Sequence, residues 1–172
     1  MKLDNDEFEF LISELKKTEI MNEDDMKYIK SAHHQLYYAT QNLRTEEVSL
    51  FTNKCLIFKL NNDTLNKFIC DKFNEPIENL YTMHKLIYSV GDFAKVHKDR
   101  FTTHKTVSIL LSDVFVGGDM YIDGKLVSLN QKGDYISFNG GKEFHEIKEI
   151  ISGNREVLII WFSKKQSKFS LI

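Results

Sequence analysis

KLVSLNQKGDYISFNGGKEFHEIKEIISGNREVLIIWF (125–162) alternates short apolar runs with turn signals. KLVSL, DYISF, HEIKEI and EVLIIWF are strand-like, and KGD, NGG and SGN separate them. Upstream, KLIYSV (85–90), TVSILL (106–111) and DMYID (119–123) continue the pattern, with GD, SD, GG and DG as turns. Seven or eight strands at this spacing predict an antiparallel sandwich or barrel such as a jelly roll.

Before residue 85 the apolar period is helical. Phe8, Leu11, Ile12 and Leu15 follow Asp4 and Asn5, predicting a capped helix from 5 to about 20. Met26, Ile29, His33 and Leu36 predict a second helix over 23–43, with His33 in the core and His34 at the surface. CLIFKL (55–60) reads as a strand. NNDTLNKFICDKF (61–73) reads as a third helix, which Pro76 is expected to end. The whole is one α+β domain, 1–172, with a helical part over 1–84 covering one sheet of a β-core over 85–163. The basic SKKQSKFSLI (163–172) reads as a solvated tail.

The 172 residues suffice for one buried core. The net charge of −2 argues against a nucleic-acid or anionic-membrane footprint. Among 23 basic residues only Arg44, Arg100 and Arg155 are arginines, so a placed arginine is informative. Cys55 and Cys70 read as free thiols of a reducing compartment. The N-terminus shows no signal core and no window approaches a membrane span, so a cytoplasmic location is expected.

VHKDR (96–100) puts His97 and Asp99 two residues apart, where strand side chains share a face. His145, at the start of a later strand, supplies a third ligand. Two histidines and a carboxylate with open positions is the arrangement of non-haem Fe(II) oxygenases. A closed structural zinc site would more often use closely spaced cysteines. His104 reads as a loop residue and His84 as structural.

Ten residues after His145, Arg155 opens EVLIIWF and shares a face with Val157, Ile159 and Trp161. An arginine on such a face requires an anion or a strand-edge position. Its planar fork suits a carboxylate, and the nearby candidate metal histidine favours that reading. Tyr88 is either a neutral donor to a buried carboxylate or a strand tyrosine without a role. Thr106, on one face with Ser108 and Leu110, is a secondary contact. Gly117, Gly118 and Gly133 read as turn residues, and Lys98 and Arg100 as facing away from the metal.

From Tyr88 to Phe162 the chain resembles the catalytic core of prolyl-4-hydroxylase-like 2-oxoglutarate- and Fe(II)-dependent dioxygenases. YSVGDFAKVHKDR, LLSDVFVGGDM, KGDYISF and HEIKEIISGNREVLIIWF match that family's motifs in order. The resemblance implies a double-stranded β-helix, jelly-roll and cupin-like, with Fe(II) on His97, Asp99 and His145. It implies 2-oxoglutarate bound through Arg155, Tyr88 and Thr106, O2 as oxidant, and ascorbate as a candidate auxiliary reductant. The implied reaction hydroxylates substrate while decarboxylating 2-oxoglutarate to succinate and CO2. Two positions depart from common family patterns: Arg155 stands where collagen-type enzymes carry lysine, and Leu110 where many relatives have tyrosine.

The expected substrate is a protein or peptide side chain, proline foremost. A small molecule or a nucleic-acid base is the alternative substrate, with nucleic acid disfavoured by charge and no membrane partner expected. A non-catalytic β-barrel metal-binding or interaction module is the remaining alternative.

Overall fold

The computed structural model describes residues 1–22 and 53–164. The helix expected over 23–43, with His33 and His34, and the tail beyond residue 164 lie outside the described residues.

Helix α1 (Asn5–Lys17) begins where the sequence signals it. Asp4 accepts from the Glu7 amide at 2.8 Å, and Glu7 accepts from the Asp4 amide at 3.0 Å. This reciprocal capping box satisfies two donors that the helix itself leaves open. Helix α2 (Asp63–Phe73) is capped by Asn62, whose side chain accepts from Leu65 N at 3.0 Å. Its end differs from expectation. Asn74, at φ 51°, closes the helix, and Pro76 instead precedes a short 3-10 turn at Ile77–Asn79. Asparagine tolerates the left-handed conformation that a C-terminal cap requires, so the helix stops before the proline can act.

Eleven strands follow among the described residues. They are β1 (Lys54–Phe58), β2 (Leu80–Tyr88), β3 (Ala94–His97), β4 (Thr103–Leu110), β5 (Phe115–Gly117) and β6 (Met120–Ile122). Then come β7 (Lys125–Val127), β8 (Tyr135–Phe138), β9 (His145–Ile147), β10 (Ile150–Gly153) and β11 (Arg155–Ser163). The larger antiparallel sheet has the order β1-β2-β11-β4-β8. The smaller has the order β3-β9-β6-β7, and β5 pairs with β10 separately.

β11 shows how the layers form. Leu158, Ile160 and Phe162 point outward with Met83, Val107 and Ile109, and pack on Leu11 and Leu15 of α1 and Leu65 and Ile69 of α2. Val157 points the other way, into a second core with Tyr88, Leu110, Met120, Ile122 and Ile147. The helices therefore cover one sheet, as the sequence predicts, while the two sheets enclose a second core. The architecture is α+β with a double-stranded β-helix, a jelly roll, behind a helical layer.

Three strand expectations are corrected. HEIKEI is two strands, β9 and β10, which pair in different sheets. β2 starts at Leu80, so His84 lies within a strand and the 84/85 division falls inside β2. Leu80, Thr82, Met83 and His84 are buried and Tyr81 is exposed, so Leu80–His84 lacks the apolar–polar alternation in sequence that marks a half-exposed strand. His104 lies in β4, not in a loop, and its Nε2 is 3.0 Å from Glu75 Oε2.

Candidate metal centre

His97 ends β3 and His145 begins β9, and the antiparallel register places them directly opposite each other. Opposed residues of an antiparallel pair project to the same face. Their rings accordingly meet, with centroids 4.2 Å apart. Asp99 lies beyond the end of β3, so continued strand geometry is not what aims it. Its amide donates to Gly140 O at 2.8 Å, which ties it to the segment before β9. Its carboxylate Oδ1 lies 3.6 Å from His145 Nε2. One ligand atom from each of His97, Asp99 and His145 falls within 4.8 Å of the others.

Each side chain is held by a neighbour. His97 Nδ1 lies 2.7 Å from Lys95 O and His145 Nδ1 lies 3.1 Å from Glu143 O. A carbonyl only accepts, so Nδ1 carries the proton in both rings and Nε2 keeps the lone pair a metal needs. Asp99 Oδ2 accepts from Thr106 Oγ1 at 2.5 Å. Phe138 packs edge-on against His145 at 4.9 Å.

The electrostatics match this donor set. Burial lowers the His97 pKa to about 4, with His145 adding to the effect, so the imidazole stays neutral at ordinary pH. Burial works to raise the Asp99 carboxyl, but the adjacent His145 ring, the Thr106 hydroxyl and the nearby His97 outweigh it and hold the group below its usual value. Two imidazoles and an ionised carboxylate fit a divalent first-row cation on one face.

Arg155 opens β11 opposite Tyr88 of β2 and is 2% exposed. Its Nη1 has no hydrogen-bond partner among the described residues. Burial lowers its pKa to about 10, Tyr88 works the other way, and no carboxylate among the described residues pairs with it. Its Cζ lies 5.8 Å from the Tyr88 ring centre, and burial raises the Tyr88 hydroxyl to about 12. Arg155 lines a cavity of about 290 Å³ with Gly118, Met120 and Leu129. A buried cation beside a cavity, with an unused donor, fits a small anion and a carboxylate in particular.

Thr106 is placed differently from the sequence reading. Its hydroxyl is hydrogen-bonded to Asp99, so it positions a candidate metal ligand. Leu110 is fully buried in the inner core and supplies apolar wall there. Lys98 and Arg100 point away: Lys98 Nζ lies over the Phe144 ring at 4.1 Å, and Arg100 donates to Tyr81 at 3.1 Å. Cys55 and Cys70 are free thiols.

Sequence reasoning missed two glycines that matter to the site. A Cβ on Gly140 would fall on Asp99 Oδ2 and Thr106 Oγ1. One on Gly118 would lie 2.8 Å from Arg155 Cδ. NGG and VGG carry the signal, but it is indistinguishable from that of an ordinary turn.

The fold is shared with three solved structures. A Pseudomonas putida prolyl-4-hydroxylase superposes with a TM-score of 0.53 at 19% identity, covering 76% of this chain and 85% of its own. A Burkholderia pseudomallei oxidoreductase of the 2OG-Fe(II) oxygenase family gives 0.51 at 16%, covering 77% and 79%. The collagen prolyl hydroxylase of Paramecium Bursaria Chlorella virus-1 gives 0.54 at 14%, covering 66% and 80%. The chain has their fold. No protein-family profile and no curated protein matches its sequence. The resemblance read between Tyr88 and Phe162 is thus borne out at the level of architecture. Among the described residues no helix is long and apolar enough to cross a membrane.

Proposed function

We propose that this chain is a 2-oxoglutarate- and Fe(II)-dependent dioxygenase that hydroxylates a protein or peptide side chain, with proline the first residue to test. One observation carries the reading. A three-ligand cluster at the end of β3 and the start of β9 occurs in the same barrel as a buried Arg155 on a cavity, its Nη1 without a partner among the described residues. The metal cluster alone fits many proteins; the added anion site favours an iron enzyme with an acidic cosubstrate.

His97, Asp99 and His145 would hold the iron. The bound iron would let O2 act as the oxidant with 2-oxoglutarate as co-reductant, one oxygen atom converting a substrate C–H into C–OH and the other entering succinate as CO2 leaves. The remaining work belongs to the chain. Lys95 and Glu143 carbonyls fix the imidazole tautomers, and Thr106 holds one Asp99 oxygen. Arg155 is charged at neutral pH and would pair with the far carboxylate of 2-oxoglutarate. Tyr88 stays neutral and can donate to that carboxylate. Leu110, Met120 and Leu129 line the inner core with apolar surface that keeps water from competing.

The test is succinate release from 2-oxoglutarate by the purified chain with Fe(II), without substrate and then with proline-containing peptides. Iron-dependent release that rises with a peptide is the expected result. Failure of the Fe(II)-loaded protein to bind 2-oxoglutarate would overturn the reading.

A further inference from the structure

The two segments that carry the metal ligands also build an exposed rim. FAKVHKDRF (93–101) and NGGKEFH (139–145) are stitched together backbone to backbone. Asp99 N donates to Gly140 O at 2.8 Å. Gly141 lies so close to the other strip that a Cβ there would meet Arg100 O at 2.8 Å. The rim is therefore held in place by its own backbone.

What it presents to solvent is unusual for a protein of net charge −2. Phe101 is 71% exposed, Val96 54% and Phe144 51%. Phe144 is fixed at both backbone groups: its amide donates to Asp123 Oδ1 at 2.9 Å, and its carbonyl accepts from Asp123 N at 2.7 Å. Fold stability gives no reason to leave an anchored phenylalanine facing water. Exposed aromatics beside basic groups are typical of binding surfaces.

The charges are one-sided. The two segments carry four cations, Lys95, Lys98, Arg100 and Lys142, against two carboxylates, Asp99 and Glu143. Asp99 belongs to the metal cluster, and Glu143 accepts from the Asn139 amide at 2.6 Å. Elsewhere lysines at 17, 67, 72, 85, 105 and 148 are ion-paired. Lys98 and Arg100 instead lie over the rings of Phe144 and Tyr81. Both keep donors for a partner while covering apolar surface.

We propose that this rim receives an acidic segment of a partner polypeptide, its apolar side chains against Phe101 and Phe144 and its carboxylates at Lys98 and Arg100. The inference rests on the dioxygenase reading only in that the segment would carry its target residue to the metal. A nucleic acid would also meet aromatic and basic groups, but a short rim with four cations in an acidic protein makes a poor phosphate track.

The test reads binding without turnover. A fluorescent, proline-centred peptide of alternating aspartate and leucine is titrated into the full chain, beside the same peptide with lysine for aspartate and a single-stranded oligonucleotide. The acidic peptide should bind at least about tenfold more tightly than the lysine peptide, with an advantage that shrinks as salt is raised. Lys98→Glu with Arg100→Glu should weaken it by roughly tenfold, since two attractions become repulsions. Phe144→Ala should weaken both peptides. Equal affinity for the two peptides, tighter binding of the oligonucleotide, or indifference to the charge reversal in a folded variant would overturn the proposal. Succinate release is scored separately. Selective peptide binding without 2-oxoglutarate turnover would overturn the dioxygenase reading and leave this surface standing. Turnover without selective binding would do the reverse.

Discussion

Gly140→Ala tests whether the metal cluster depends on a missing side chain. Gly140 is outside the left-handed region, so alanine brings no backbone strain of its own. The new methyl would fall on Asp99 Oδ2 and Thr106 Oγ1, with Asp99 Cγ only 2.8 Å away. Ordinary contact begins near 3.4 Å, so the carboxylate must move. Moving it breaks the Thr106 hydrogen bond to a charged acceptor, about 1.5–3 kcal/mol. At about 1.4 kcal/mol per decade, that is roughly 10- to 100-fold in metal affinity, the range expected for losing a group that orients a ligand. The assay is anaerobic titration of the metal-free protein with Fe(II), or with Co(II) followed by its absorption. Thr106→Val removes the same hydrogen bond without added bulk and should cost about tenfold. A folded Gly140→Ala protein that binds Fe(II) with unchanged affinity would refute the reasoning, because Asp99 would then be free to leave its place without consequence.

Asp99→Ala should abolish Fe(II)-dependent succinate release while the circular dichroism spectrum persists; ordinary turnover would remove Asp99 from the cluster. Arg155→Ala should raise the KM for 2-oxoglutarate by about 100-fold, as expected for losing charge-assisted hydrogen bonds in a buried site. An unchanged KM would move the cosubstrate elsewhere. Away from the metal, burial works to raise the Glu75 carboxyl, but hydrogen bonds from Lys105, Asn79 and His104 overcome it and hold the pKa below the model-peptide value of 4.5. Its contribution to stability is therefore complete above about pH 4.5 and lost as the pH falls through the lower native value. Glu75→Gln should flatten the acid side of the plot of urea midpoint against pH; an identical acid slope would show that Glu75 gains nothing from those partners.

The legible features are those with a periodic or chemical signature. β11 announces itself because alternate residues face different cores, and His97 and His145 because imidazoles are scarce and metal-competent. The misread features depend on partners distant in sequence. The spacing alone puts Asp99 on one strand with His97; β3 ends at His97, and it is Gly140, in the segment before β9, that holds Asp99 in place. Thr106 has the same face on paper whether it serves a cosubstrate or a carboxylate; only the approach of the Asp99 loop decides. At the end of α2 proline is the louder signal in the sequence, yet it is Asn74, in the left-handed conformation, that closes the helix.

Gly140 and Gly118 point to how such a site is built. Each stands where a backbone comes too close to a functional side chain for a Cβ to fit, one at Asp99 and one at Arg155. Neither position has room for a Cβ, and Gly118, at φ 68°, also lies in the left-handed region. Leaving them open lets Asp99 reach the two histidines and lets Arg155 stay beneath the sheet. Arg155 is the costlier of the two arrangements, because a buried guanidinium with an unused Nη1 has exchanged water for nothing within the described protein. Tyr88 offsets little of that cost, since burial keeps its hydroxyl neutral. The missing compensation has to be negative, small enough for a cavity of about 290 Å³, and able to meet a planar fork of donors. A carboxylate meets all three conditions, which is why, in the proposed function, Arg155 more than the three candidate ligands favours an acidic cosubstrate.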